Sequence, residues 1–155
     1  MIINDILSSL ITDRTQSDVD YALSLQNNSI YTDANLRGAY NISDRNRVGN
    51  ALNRLIAAMN ILQIHAKDDW TEYDITRVAD NANTLACLAV LQIFLPFGSV
   101  TSVPADLDRL SYQKANDVER ILFETGSAYQ WIADNTLHAG ESYASNIDAP
   151  INKFL

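Results

Sequence analysis

Apolar residues recur at helical spacing in three long stretches of this chain, and runs of polar or turn-forming residues separate them. The clearest stretch opens near Ser43. There Val48, Ala51, Leu52, Leu55, Ala58, Met59 and Leu62 follow one another at steps of three and four, with Arg45, Asn46, Asn50, Asn53, Arg54 and Asn60 on the other faces. Burying its large members at roughly 1.5–3 kcal/mol each outweighs a cap worth about 1 kcal/mol, so packing rather than propensity makes this helix. Gly49 inside it costs about 1 kcal/mol relative to alanine and marks a close helix contact. A polar connector from Lys67 to Ile75 follows, anchored by Trp70 and Tyr73 and closed by a cap at Asp74 or Thr76. The next helix is polar through Asp80, Asn81 and Asn83. From Leu85 to Leu95 it is apolar almost all round, so it must be covered on every side, by its own domain or by a neighbouring subunit. Pro96 ends it. The last helix opens near Ser111. It carries Tyr112, Ala115, Val118, Ile121, Leu122, Thr125, Ala128, Tyr129 and Ile132 on one stripe, with Lys114, Asp117, Glu119, Arg120 and Glu124 mostly away from it and Asn135 as its stop.

Before these stretches, Thr15 or Ser17 can cap a shorter helix through Leu25, which Asn27-Asn28-Ser29 ends. A connector over 30–40 follows, pinned to the core by Tyr31 and Tyr40. Thr136 to Leu155 has no helical period and contains Gly140 and Pro150, which predicts an extended C-terminal segment. Its Ile147, Ile151, Phe154 and Leu155 are too apolar for a solvated tail and should dock on the bundle or on a neighbour. The fold expected is all-α: a bundle of three long helices plus a shorter N-terminal one over 1–135, then the extended segment over 136–155.

A chain of 155 residues fits one domain, and one of this size buries about 68–70% of its unfolded surface. Its single cysteine, Cys87, lies in an apolar run and can form neither an internal bridge nor a cysteine-based zinc site alone. The formal net charge of -8 and the scattering of 11 basic residues argue against direct nucleic-acid binding. The apolar start, Met1 to Leu7, lacks a basic flank and is interrupted by Asp5, unlike a signal peptide. The longest apolar run falls short of the ~20 residues of a membrane helix, so no membrane partner is expected.

Candidate chemistry is sparse. Asp68, Asp69, Glu72 and Asp74 cluster as hard-cation ligands would, but without the glycine turn and closing glutamate of a calcium loop they read as a solvated connector. His65 and His138 form no metal-binding spacing, no nucleophile elbow surrounds any serine, and Cys87 reads as core. No catalytic residue, metal or cofactor is expected. Asp13 and Arg14, with Arg45 and Arg47, read instead as caps and buried or interfacial ion pairs that fix one segment against another.

Three groups of residues carry a resemblance. The first runs Thr12-Asp13-Arg14-Thr15-Gln16-Ser17-Asp18-Val19, and the second Gly38-Ala39-Tyr40-Asn41-Ile42-Ser43-Asp44-Arg45-Asn46-Arg47-Val48. The third comprises Val103-Pro104-Ala105, Leu107 to Leu110, and Tyr112 through Ala115-Asn116 to Val118-Glu119-Arg120-Ile121-Leu122. In this order, with Trp70 before a helix and Gly140-Glu141-Ser142-Tyr143 near the end, the chain resembles a helical module of tail and baseplate-associated structural proteins of phages and prophages of Gram-positive bacteria. The resemblance implies a non-enzymatic virion part, made in the host cytoplasm, that joins other virion proteins as a homo-oligomer or symmetric assembly. The residues expected to meet partners are Leu88, Leu91, Phe94 and Phe97 on the apolar helix, and Ile147, Ile151, Phe154 and Leu155 at the end. The competing expectation is a small acidic regulatory or inhibitory binding protein made during infection, whose binding would weaken with salt.

Overall fold

The structure, a computed structural model, describes residues 4–27, 36–61, 63–95 and 99–145. Five helices make it up: α1 (Asn4–Leu7), α2 (Gln16–Asn27), α3 (Ile42–Ala58), α4 (Val78–Phe94) and α5 (Tyr112–Ser145), with no strand among the described residues. The three long helices α3, α4 and α5 pack together, and α1 lies against α5. Val48, Ala51, Leu52 and Leu55 of α3 meet Cys87, Leu88 and Leu91 of α4 and Val118, Ile121 and Leu122 of α5, and most of these are completely enclosed. The stripes read from the sequence are the faces that form this core.

All three long helices point the same way. Near the start of α3, Arg47 bonds to Glu119 near the start of α5, and near the end of α3 the Tyr129 hydroxyl donates to the Ala58 carbonyl at 2.6 Å. Residues after α3 run back along it, so that Asn53 bonds Ala66 and Asn46 bonds Trp70 before α4 begins. The chain after α4 returns in the same manner, with Gln92 donating to the Thr101 carbonyl at 2.6 Å and Asn81 to Asp108 at 3.2 Å. Parallel neighbours need connectors as long as the helices themselves, whereas an up-and-down bundle needs only short loops. The long polar connectors of the sequence are these returns.

Helix ends differ in detail from the expected ones. Thr15 caps α2, exchanging bonds with Asp18: the Asp18 carboxylate accepts the Thr15 N–H at 2.7 Å, and the Thr15 hydroxyl accepts the Asp18 N–H at 3.3 Å. For α3 the cap is Asn41 rather than Ser43, because Asn41 Oδ1 accepts the N–H groups of Ser43 and Asp44 while the Asp44 carboxylate accepts the Asn41 N–H at 2.9 Å. That helix ends at Ala58, short of Leu62, where Asn60 turns the backbone left-handed at φ 57. Neither Asp74 nor Thr76 caps α4. Asp74 instead accepts the N–H and hydroxyl of Thr71 in a turn, and Asp80 reaches back to the Arg77 N–H at 2.9 Å. Tyr73 is not an anchor, being 86% exposed, whereas Trp70 is buried with its indole N–H on the Lys67 carbonyl. The close approach at Gly49 is to Lys67 and Asp68 of the returning connector, not to a helix.

The largest correction concerns the far end. Asn135 does not stop α5, which runs on to Ser145, so residues 136–145 belong to the helix rather than to an extended segment. One glycine, Gly140, costs only about 1 kcal/mol against good helix formers on either side. Asn135 and Thr136 return their side chains to the carbonyls of Trp131 and Ile132, which keeps both residues compatible with helix. Residues 146–155, with the expected contacts at Ile147, Ile151, Phe154 and Leu155, lie outside the described residues, as do Tyr31 and Phe97.

Candidate interaction surface

Segment 11–14, between α1 and α2, is threaded into the bundle by α5. Asn116 brackets Arg14, accepting its backbone N–H at 3.0 Å and donating to its carbonyl at 2.9 Å. Arg120 donates to the Thr12 carbonyl, and the Glu119 carboxylate accepts the Ile11 N–H at 2.6 Å. Into this bracket Arg14 projects a guanidinium that is almost fully buried. It reaches Asp44 at 2.9 Å, Glu119 at 2.7 Å, and the carbonyls of Ile11 and Arg37. Arg47 pairs with the same two carboxylates. Two cations and two anions thus close a neutral network, with the Tyr40 ring 5.7 Å from the Arg14 guanidinium.

Burial alone would lower the Arg47 pKa, but the Glu119 and Asp44 carboxylates outweigh it and hold that guanidinium charged. Burial also pushes the Tyr40 hydroxyl well above its ordinary value, reinforced by the same two carboxylates. The expected ion pairing of Arg14 and Arg47 is therefore present and buried. Arg45 takes another role, lying over the Trp70 ring at 5.0 Å, while Asp13 pairs with Arg37 at the surface. Sequence spacing had set Glu119 aside as mostly off the stripe. It is the most deeply enclosed charge in the molecule's described part, at 0% exposure.

Among the described residues, the side chains singled out for possible chemistry do not converge. Asp68 accepts from Asn53, Asp69 pairs with Lys67, and Asp74 caps its turn, so these connector carboxylates are engaged locally. No grouping of three or more metal-ligating side chains occurs among the described residues. His65 is exposed, and the side chain of His138 falls outside the described residues. Cys87 is sealed in the core, where desolvation pushes its thiol up to about 11, away from nucleophilic use. A recess beside Tyr40, Val48, Trp70, Thr84 and Leu107 measures about 40 Å³, room for water rather than for a substrate. No described helix is long and apolar enough to cross a membrane.

Glu124 on α5 ties down the start of the second return. Its carboxylate accepts the Ser99 hydroxyl at 2.6 Å, the Thr101 hydroxyl at 3.2 Å and the N–H groups of Val100 and Thr101. Burial would raise its pKa, but these donors prevail and hold it below its ordinary 4.5. A depressed carboxylate stabilises the fold fully above its unfolded pKa, and that contribution is lost as pH falls through the lower folded value. Urea midpoints measured from about pH 6 down to pH 3 should therefore fall less steeply in Glu124→Gln than in the parent chain.

The apolar face expected to meet partners divides in two. Leu88 and Leu91 are covered by the chain's own bundle, which corrects their assignment to a partner contact. Phe94 stays 58% exposed and Ile93 74%, next to an open groove lined by Ile61, Ile64 and Val90. This patch sits at the end of the bundle where α3 and α4 finish and α5 continues. Trp131, 67% exposed, is on that continuing part. No protein-family model, curated protein or solved structure matches the chain.

Proposed function

We propose that this chain is a structural part of a phage tail or baseplate and works by protein–protein assembly rather than by catalysis. The observation that carries the reading is the junction. Arg14 from the first of the resembling motifs, Asp44 and Arg47 from the second, and Asn116 and Glu119 from the third all meet in it. Residues that make up the resemblance are thus engaged in fixing segments to one another, which suits a part whose product is a shape. The exposed Ile93 and Phe94 beside their groove offer such a part a contact for other virion proteins.

Mass spectrometry with cross-linking of purified particles from the encoding phage or prophage tests this. The chain should be present in stoichiometric amount, with cross-links from the Phe94 end to another virion protein. Because Ile93 and Phe94 are exposed, the double variant Ile93→Asp/Phe94→Asp should fold as the parent does. It should nevertheless fall at least about tenfold in particle incorporation, since buried interface anchors are worth about 2 kcal/mol or more each. Complete, infectious particles lacking the chain would end the reading. A free monomer with salt-sensitive binding to a basic surface would support the acidic-binder alternative.

A further inference from the structure

Helix α5 carries its largest exposed side chains on the side turned away from the core. At about 100° per residue, Arg120, Phe123, Ser127, Trp131 and Asp134 all fall within about 40° of the Ser127 direction, roughly opposite Val118, Leu122 and Thr125. They form one straight outward stripe. Phe123 is 45% exposed and Trp131 67%, so the chain's own segments leave much of both rings in water. On one flank α1 reaches α5 at Gly126 through the Leu7 side chain, and on the other the segment 99–101 is held at Glu124. Segment 11–14 closes the stripe below, where Asn116 brackets Arg14. The stretch 120–134 stays open. Single exposed apolar side chains are ordinary, but a phenylalanine and a tryptophan in line, with a small residue between them and an arginine beside them, have the make-up of an interface core.

We infer that a second copy of this chain covers the stripe, with α5 lying antiparallel against α5 about a two-fold axis at Ser127. The stripe is self-complementary about that residue. A two-fold axis there sets each position level with the one equally far along on the other side. Phe123, four residues before Ser127, then meets Trp131 of the second copy, four residues after it, about 6 Å along the helix from the axis. Arg120, seven before, meets Asp134, seven after, at about 10 Å. Every such contact forms twice. A parallel pair would instead set Arg120 against Arg120 and Asp134 against Asp134, so the charges select the antiparallel sense. Among the described residues neither has an ion-pair partner: Arg120 donates to the Thr12 carbonyl at 3.2 Å, and Asp134 accepts from Gln130 at 2.7 Å. Each keeps polar atoms for the second copy. Ser127 lets the backbones approach closely at the axis, and because segment 11–14 stands over Asn116 the two helices must cross at an angle rather than run side by side. The inference goes beyond the assembly role, since it concerns how the chain pairs with itself and uses a surface other than Ile93 and Phe94.

Sedimentation of the full chain over a range of about 1–100 μM tests it, and the parent should pass from monomer to dimer within that range. Trp131→Glu should raise the dissociation constant at least about thirtyfold, because an interface tryptophan counts twice in a two-fold pair. Its far-UV dichroism should match the parent's. Asp134→Arg should weaken the dimer, and Arg120→Asp/Asp134→Arg should restore it, a rescue that only the antiparallel register supplies. Ser127→Cys should give a disulfide-linked dimer on mild oxidation, since Cys87 is sealed in the core. A parent that stays monomeric throughout the range, a dimer indifferent to Trp131→Glu, or a double swap no tighter than Asp134→Arg would overturn the inference. A monomeric parent whose Trp131→Glu variant is lost from particles would assign the stripe to another virion protein and leave the tail role standing. A dimeric chain absent from particles would do the reverse.

Discussion

Glu119→Ala is expected to cost about 3–5 kcal/mol of folding stability, because it leaves a buried positive charge without its partner. All four acceptor positions of that carboxylate are in use. One oxygen accepts from Arg14 at 2.7 Å and Arg47 at 2.8 Å; the other accepts the Ile11 N–H at 2.6 Å and Arg47 Nε at 3.0 Å. Alanine removes every one of these and turns a neutral foursome into a net cation in a place that water does not reach. For a chain of this size, each kcal/mol moves Tm by roughly 2–4 °C, so a fall on the order of 10 °C should appear in calorimetry. Glu119→Gln keeps the shape and some acceptors and should cost less. The charge-balanced double variant Arg14→Met/Glu119→Leu leaves Arg47 with Asp44 and should be more stable than Glu119→Ala. A loss of under about 1 kcal/mol for Glu119→Ala would mean that solvent already screens the network.

Why so costly an arrangement sits at this place follows from what it joins. Segment 11–14 has little apolar surface to bury, yet it must hold α1 on one side and α2 on the other. Backbone bonds from Asn116 and Arg120 fix its path, and the Arg14 charge fixes its register against α3 and α5 together. A buried ion pair adds little net stability over an apolar contact, but it tolerates few alternative partners. Here that selectivity sets how the N-terminal helices sit on the three-helix core.

The three-helix core itself was legible from periodicity alone. Val48, Ala51, Leu52 and Leu55 sit where steps of three and four put them, as do Val118, Ile121 and Leu122. The pairing of Arg14 and Arg47 was legible as chemistry, since arginines near helix starts need partners, but the partner Glu119 was not. It lies between Val118 and Arg120 in a row that reads as solvated, and its burial depends on Arg14 arriving from 105 residues away. Local spacing carries no information about such an arrival. Helix direction was hidden for the same reason: the long connectors allowed parallel packing without requiring it. The continuation of α5 was overlooked because Asn135 and Gly140 outweighed a stripe made of small residues. Among the expected partner residues, Leu88 and Leu91 were taken into the core by the returning connectors and α5, while Phe94 stayed at its rim.

Gly49→Ala should destabilise the chain by about 2 kcal/mol or more, against the general rule that alanine gains about 1 kcal/mol over glycine within a helix. A Cβ at Gly49 would run into the Lys67 carbonyl oxygen and come within 2.9 Å of the Asp68 Cα. Both are backbone, and the backbone there cannot yield. Asn53 holds Ala66 through its N–H at 2.8 Å and its carbonyl at 2.9 Å, and Asn46 holds Trp70 at 2.7 and 3.0 Å. Gly126→Ala on α5 is the control. Its Cβ would meet the tip of Leu7 at 2.6 Å and that of Leu55 at 3.4 Å, both far ends of side chains rather than backbone. There the helical gain offsets the crowding, and stability should change by less than about 1 kcal/mol. Urea denaturation of the two variants side by side gives the difference. A Gly49→Ala chain as stable as Gly126→Ala would place the first return farther from α3, and would remove the close packing that lets α4 start beside the start of α3.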